Sequence, residues 1–287
     1  MRSGAGFGVA VAVALAANAA RAEPPPRELR HDTRVNVAVT AMGASWLVVS
    51  ELLKPSLVPE KCRWCYRAGD GSDLLNPYDG WMRQRLLWQR TRSADIASSL
   101  IVGVLEPTTQ LGLLAVSAHQ ERALSGFPLD SLIVAESTVV AAVLNQVVKF
   151  GFARERPFVH YLPRAPEALR ELTSSPSDNN LSFFSGHTTV AFAIATSSST
   201  VATLRGYRLA PLLWGSGLTL AASVGYLRIA ADKHYLSDVL TGAVVGSIVG
   251  VALPVIFHSP QGEPSASSNA ALTAPSVRPT FTFSGLF

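Results

Sequence analysis

Residues 236–257 read LSDVLTGAVVGSIVGVALPVIF, a run of 22 residues in which Asp238 is the one charged side chain. A run of that length and apolarity crosses the roughly 30 Å hydrocarbon layer of a membrane as a helix. Five stretches of similar character precede it, at 35–53, 97–116, 131–148, 184–204 and 209–227. An alternating strand pattern is confined to 280–283. The fold class expected is therefore all-α: a bundle of about six apolar helices, membrane-spanning, with an active site where helix ends meet on one face. Glu106, beside Pro107, and Glu136 fall inside these stretches and must face inward, because lipid tolerates carboxylates poorly. The competing architecture is a soluble all-α bundle that buries the same stretches.

Composition points the same way. Hydrophobic residues make up 48% and charged residues only 15% of the 287, against roughly 25% charged in an ordinary soluble domain. The formal charge of +4 is spread over several connections and forms no basic stripe, which argues against a nucleic-acid partner. Residues 1–22 read as an export signal: Arg2, an apolar run from Gly6 to Ala17, and a small-x-small site at Ala20-Arg21-Ala22. An uncleaved anchor is the alternative. Residues 23–94 then form an N-terminal helix and polar connection, 95–257 the core, and 258–287 a Pro/Ser/Ala-rich, poorly ordered tail. Within the connection, Trp81 to Trp88 has a basic amphipathic face suited to a membrane surface, or to a surface helix that packs its tryptophans inward. A second polar connection, 163–180, looks like a loop or lid. Cys62 and Cys65 cannot complete a zinc site with nearby histidines, and a local disulfide is the simpler reading.

Three motifs carry chemistry. Lys149 and Arg156-Pro157, seven residues apart, put two cations on one face if the helix there continues, with Pro157 helping to end it. Alone the pair does not differ from cations that flank a membrane helix. Ser185-Gly186-His187 opens the stretch 184–204: Ser185 caps a helix, Gly186 lets backbone approach an anion, and the free N–H groups make a phosphate cradle with His187 at its rim. Arg228, His234 and Asp238 follow at the junction of the last two stretches. Four residues separate His234 from Asp238, so a carboxylate can hold one imidazole N–H and leave the other nitrogen as a nucleophile. Each motif alone has a structural explanation. The joint occurrence of all three by chance is on the order of a few in 100,000.

The pattern resembles the type 2 phosphatidic acid phosphatase superfamily, with its Lys-x₆-Arg-Pro, Pro-Ser-Gly-His and Ser-Arg-x₅-His-x₃-Asp signature, over about residues 97–257. The resemblance implies that Lys149, Arg156 and Arg228 bind phosphate oxygens, helped by Ser185 and Gly186. It implies that His187 protonates the leaving group, His234 attacks phosphorus and Asp238 orients His234. No metal, cofactor, nucleic acid or obligate protein partner is implied; the partners are a lipid phosphate and the membrane, with a soluble periplasmic acid phosphatase as the alternative form. Phe184 and Leu227 depart from the usual Pro and Ser, beside functional residues. If the signal is cleaved and all six stretches cross, the motif loops face the cytoplasm, and the basic connection 54–92 agrees. The family resemblance implies a site facing the periplasm, which 35–53 lying on the membrane without crossing would reconcile.

Overall fold

The computed structural model describes residues 25–59, 61–70, 72–161 and 178–260. The export signal, most of the connection 163–180 and the tail beyond 260 lie outside the described residues. Six long helices form the bundle: α1 (Thr33–Leu52), α3 (Thr91–Gln120), α4 (Phe127–Phe152), α5 (Gly186–Arg205), α6 (Ala210–Ala230) and α7 (Leu236–Phe257). A shorter helix, α2 (Pro77–Leu86), lies across one end. Among the described residues β pairing is limited to isolated bridges. Near Pro107, which cannot donate a backbone hydrogen bond, α3 widens into a π-helical turn at Ile101–Leu105.

The bundle is apolar outside and small or polar inside. On α7, Leu240, Val244, Ile248 and Val255 form an exposed stripe at helical spacing, whereas Gly242, Gly246, Gly250 and Pro254 are buried. A Cβ at Gly246 would come within 2.3 Å of the Thr189 carbonyl, and one at Gly250 within 2.1 Å of Thr196 Oγ1. The glycines thus let α7 lie directly on α5, the close approach by which helices associate in lipid. α5 itself is the hub, with Ala191, Ala195 and the run Thr196 to Thr200 all buried. Glu106 and Glu136 are buried too, as the inward-facing expectation required. Helices α1, α7 and the segments Thr91–Gln120 and Leu124–Phe152 are long and apolar enough to cross a membrane. Exposed apolar stripes around a polar interior are the arrangement of a membrane bundle and would leave a soluble protein with large wettable apolar faces.

Direction follows from the contacts. Asn36 donates to Glu136 and Gly43 abuts Val139 and Val143, so α1 and α4 run parallel. α5 and α7 are likewise parallel to each other, and α6 is antiparallel to α5, Gly217 meeting Ala195 and Gly225 meeting Thr188. α1, α4 and α6 therefore end, and α3, α5 and α7 begin, at the same end of the bundle. All three motifs are there. This corrects one expectation: the segment 35–53 is a member of the bundle packed along α4 and does not lie flat on a membrane. A second correction concerns α2 and the turn after it, where Trp81 is 52% and Trp88 38% exposed. The tryptophans do not pack inward, because Asp79 and Arg83 hold the helix to the bundle instead, through Ser237 and Asp232. The pair Cys62–Cys65 is bridged, at the same end of the molecule.

Candidate active site

At that end lies a cavity of about 320 Å³ lined by Lys149, Arg156, Arg228, His187 and His234 together with Lys54, Lys233, Asp95 and Asp178. Residues 85 positions apart in sequence, Lys149 and His234, thus face one space. The local reasons differ from motif to motif. α4 ends at Phe152, and Ala153 takes a left-handed φ of 44°, so Lys149 and Arg156 do not share a continued helix. Arg156 reaches the cavity from the loop after it, and Pro157 opens a short helical turn, Pro157–Tyr161. This replaces the expected single helical face and still brings the two cations together.

Ser185 is the N-cap of α5 as expected, with its Oγ 2.8 Å from Thr188 Oγ1. It is fully buried and is not among the residues lining the cavity. Gly186 is needed for space: a Cβ there would stand 2.8 Å from Asn145 Oδ1 and 3.1 Å from Lys149 Nζ. Asn145, which no motif flagged, donates to the Phe184 carbonyl at 2.7 Å and ties α4 to the loop before α5. His187 sits one residue inside α5, its Nε2 3.2 Å from Ser99 Oγ.

His234 is held by its Nδ1, 2.8 Å from the Ser182 carbonyl oxygen. A carbonyl only accepts, so Nδ1 carries the proton and Nε2 keeps its lone pair. Burial, followed by repulsion from Arg156 and Arg228, pushes the imidazole well below its ordinary value, so the ring is neutral at physiological pH. The expected direct bond from Asp238 is absent: its Oδ2 lies 3.7 Å from Nδ1. The spacing argument placed both residues in one helix, but α7 starts after Tyr235, which leaves His234 outside it. Asp238 instead accepts from Ser182 Oγ at 2.6 Å and from the Tyr235 amide at 2.9 Å. It is linked to His234 through Ser182, the residue whose carbonyl holds the ring.

Behind this shell stands Arg154, buried, donating to Asp238 and at 2.9 Å to Asp79 of α2. Arg83 of α2 grips Asp232, two residues before His234, through two bonds of 2.6 Å. Arg228 is braced by Asp95 and by Ser98 Oγ at 2.9 Å. The buried Nε atoms of Arg156 and Arg228 have no acceptor among the described residues. Burial, with Arg228 adding repulsion, lowers Arg156 to about 10, and it stays charged at neutral pH. Among the described residues no group of three His, Cys, Asp or Glu side chains is placed to hold a metal ion. The site is a partly desolvated cluster of cations around an unprotonated imidazole nitrogen, suited to an anion that can be attacked by a nucleophile.

Parts of the chain are similar to known proteins. Residues 130–260 match the model of the PAP2 superfamily. A lipid A 1-phosphatase of Porphyromonas gingivalis is 39% identical over 85 residues, 28% of this chain; the chain spans only 18% of that relative's length. Among solved structures, the transmembrane PAP2 type phosphatidylglycerolphosphate phosphatase from Bacillus subtilis is similar, with 20% identity and a TM-score of 0.32 over 61% of this chain and 90% of that one. The segment 130–260, which matches the PAP2 superfamily, holds every motif side chain from Lys149 to Asp238.

Proposed function

We propose that the protein is a metal-independent membrane phosphatase that hydrolyses phosphomonoesters or diphosphates of lipids through a phosphohistidine on His234. The observation that carries this is the hydrogen bond from His234 Nδ1 to the Ser182 carbonyl, which leaves Nε2 unprotonated on a ring lining the same cavity as Lys149, Arg156 and Arg228. Nε2 attacks phosphorus as the bond to the leaving oxygen breaks, and His187 gives that oxygen a proton. The three cations neutralise the equatorial oxygens, the main task in phosphoryl transfer. Water then attacks the phosphohistidine with His187 taking its proton, releasing phosphate and restoring His234. The apolar exterior of the bundle and the similarity to a lipid A 1-phosphatase support a lipid phosphate over a soluble ester, and the same exterior disfavours the soluble periplasmic form. Purified protein in detergent should release phosphate from nitrophenyl phosphate and from phosphatidic acid with chelator present. Activity that appears only on addition of magnesium or zinc would sink the reading.

The active site faces the periplasm in this proposal. With α1 crossing as a member of the bundle and ending at the site, this places the start of α1 on the cytoplasmic side and so sets aside the reading of residues 1–22 as a cleaved export signal. The Cys62–Cys65 bridge lies at the site end of the bundle, and disulfides persist on the oxidising side of a membrane. Several cations of the connection that favoured the cytoplasm by charge counting are engaged in structure: Arg67 donates to the His160 carbonyl at 2.6 Å, and Arg83 is paired with Asp232. A cysteine introduced at exposed Asp70 should react with an impermeant maleimide on intact cells whose outer membrane has been opened, and one introduced at exposed Leu124 should not. The reverse pattern would place the site in the cytoplasm.

A further inference from the structure

We infer that the groove between α1 and α4 receives an acyl chain of the substrate and so sets the chain preference of the enzyme, an inference that rests on the lipid phosphatase reading above. The two helices approach most closely at Gly43, where a Cβ would stand 2.4 Å from Val139 Cγ1. Beyond Gly43, toward the site, they leave an open apolar cavity of about 430 Å³ lined by Leu47, Val48, Glu51, Leu52 and Gln146. Glu51 and Gln146 also line the phosphate cavity. The polar cavity and the apolar groove therefore meet at these two side chains, and one amphiphile can occupy both.

The outer wall of the groove is open: Val48 is 61% and Leu52 75% exposed. Both helices are among those able to cross a membrane, so this wall borders hydrocarbon and a lipid chain can slide in without passing through water. At the junction the Glu51 carboxylate is paired with Lys54 at 2.6 Å, and Lys54 reaches Asp178 at 2.9 Å. The paired charge keeps the carboxylate from repelling an arriving phosphate, while the Gln146 amide offers both a donor and an acceptor to the polar linker between phosphate and chain. A chain leaving bilayer for groove exchanges one apolar surrounding for another and gains little affinity. Its contribution is alignment: a chain fixed between α1 and α4 fixes the direction from which phosphorus meets His234.

Val48 is the position to test, because it is exposed and a larger side chain there fills the groove without entering the core. Val48→Trp should lower kcat/KM for dioleoyl phosphatidic acid in mixed micelles by about 10-fold or more, a loss comparable to other pocket-filling changes. It should leave nitrophenyl phosphate, which has no chain, within about 2-fold of the unaltered protein. Val48→Ala should keep both activities. Equal losses on the two substrates, or no loss on either, would overturn the groove assignment while leaving the phosphatase reading intact. Failure of the unaltered protein to hydrolyse nitrophenyl phosphate would instead remove the phosphatase reading, and this inference with it.

Discussion

Replacing His234 by alanine will reduce turnover of every phosphate ester by about 10⁴-fold or more, because in the proposed mechanism its Nε2 is the attacking atom. His187→Ala will behave differently. An alkyl or glyceryl oxygen needs a proton as its bond to phosphorus breaks, whereas nitrophenolate leaves without one. The second variant should therefore lose far more activity on phosphatidic acid than on nitrophenyl phosphate. The same histidine is the expected base for water attack, so with the activated ester the first step should outrun the second. Rapid mixing of His187→Ala with nitrophenyl phosphate should give a burst of nitrophenolate followed by a slow steady rate. Acid-labile, base-stable phosphate should accumulate on the protein, and the additional change His234→Ala should eliminate it. The geometry is compatible with this division of labour: His234 is held by the Ser182 carbonyl at Nδ1, while His187 Nε2 lies 3.2 Å from Ser99 Oγ, whose own hydroxyl donates to the Asp95 carbonyl at 2.9 Å. Equal losses for both variants on both substrates, with no labelled protein, would show the roles to be wrongly assigned.

The parts of the structure legible in the sequence are those with a local signal. The six helices followed from runs of apolar residues, and the cap at Ser185 from a hydroxyl before a helix. The residues gathered around the cavity were legible because three short motifs recur together. What escaped was set by pairing across long separations. Asp95 braces Arg228 from 133 residues away, and Arg154 joins Asp79 and Asp238, 75 and 84 residues distant. A charged residue in a polar connection gives no periodic sign of the partner it will meet. The spacing of His234 and Asp238 misled for a related reason: a four-residue interval brings side chains together only inside a helix, and the helix begins at Leu236, two residues too late. The course of α1 escaped as well. Crossing and lying on the surface make the same demand on hydropathy, and the choice is made by Gly43 against Val139 and by the buried bonds Asn36 makes to Glu136 and His258.

Arg154→Met should destabilise the protein by about 3–5 kcal/mol, the cost of breaking a buried ion pair from one side. Arg154 is 1% exposed, its guanidinium carbon 4.4 Å from the ring centre of Trp64 and 4.5 Å from that of Tyr235. Besides the two carboxylates it donates to Ser237 Oγ at 2.8 Å. Methionine fills much of the same space but leaves Asp79 and Asp238 buried beside each other with their shared cation gone. The loss should appear as a lowered unfolding temperature in detergent, and the second change Asp79→Asn should recover part of it by removing one uncompensated charge. The damage should also reach the chemistry without contact. Asp238 holds Ser182 Oγ, and the Ser182 carbonyl holds Nδ1 of His234, so an Asp238 free to turn loosens the nucleophile. In the proposed mechanism Arg154 is thus a positioning residue: kcat should fall well below temperatures at which the variant unfolds, while KM, which that mechanism assigns to Lys149, Arg156 and Arg228, should change little. Arg154→Lys should restore part of the charge and little of the geometry, because an ammonium cannot span two carboxylates as a planar fork does. An unfolding temperature and a kcat unchanged by Arg154→Met would show that the carboxylates find other partners and that the arginine does not hold the nucleophile in place.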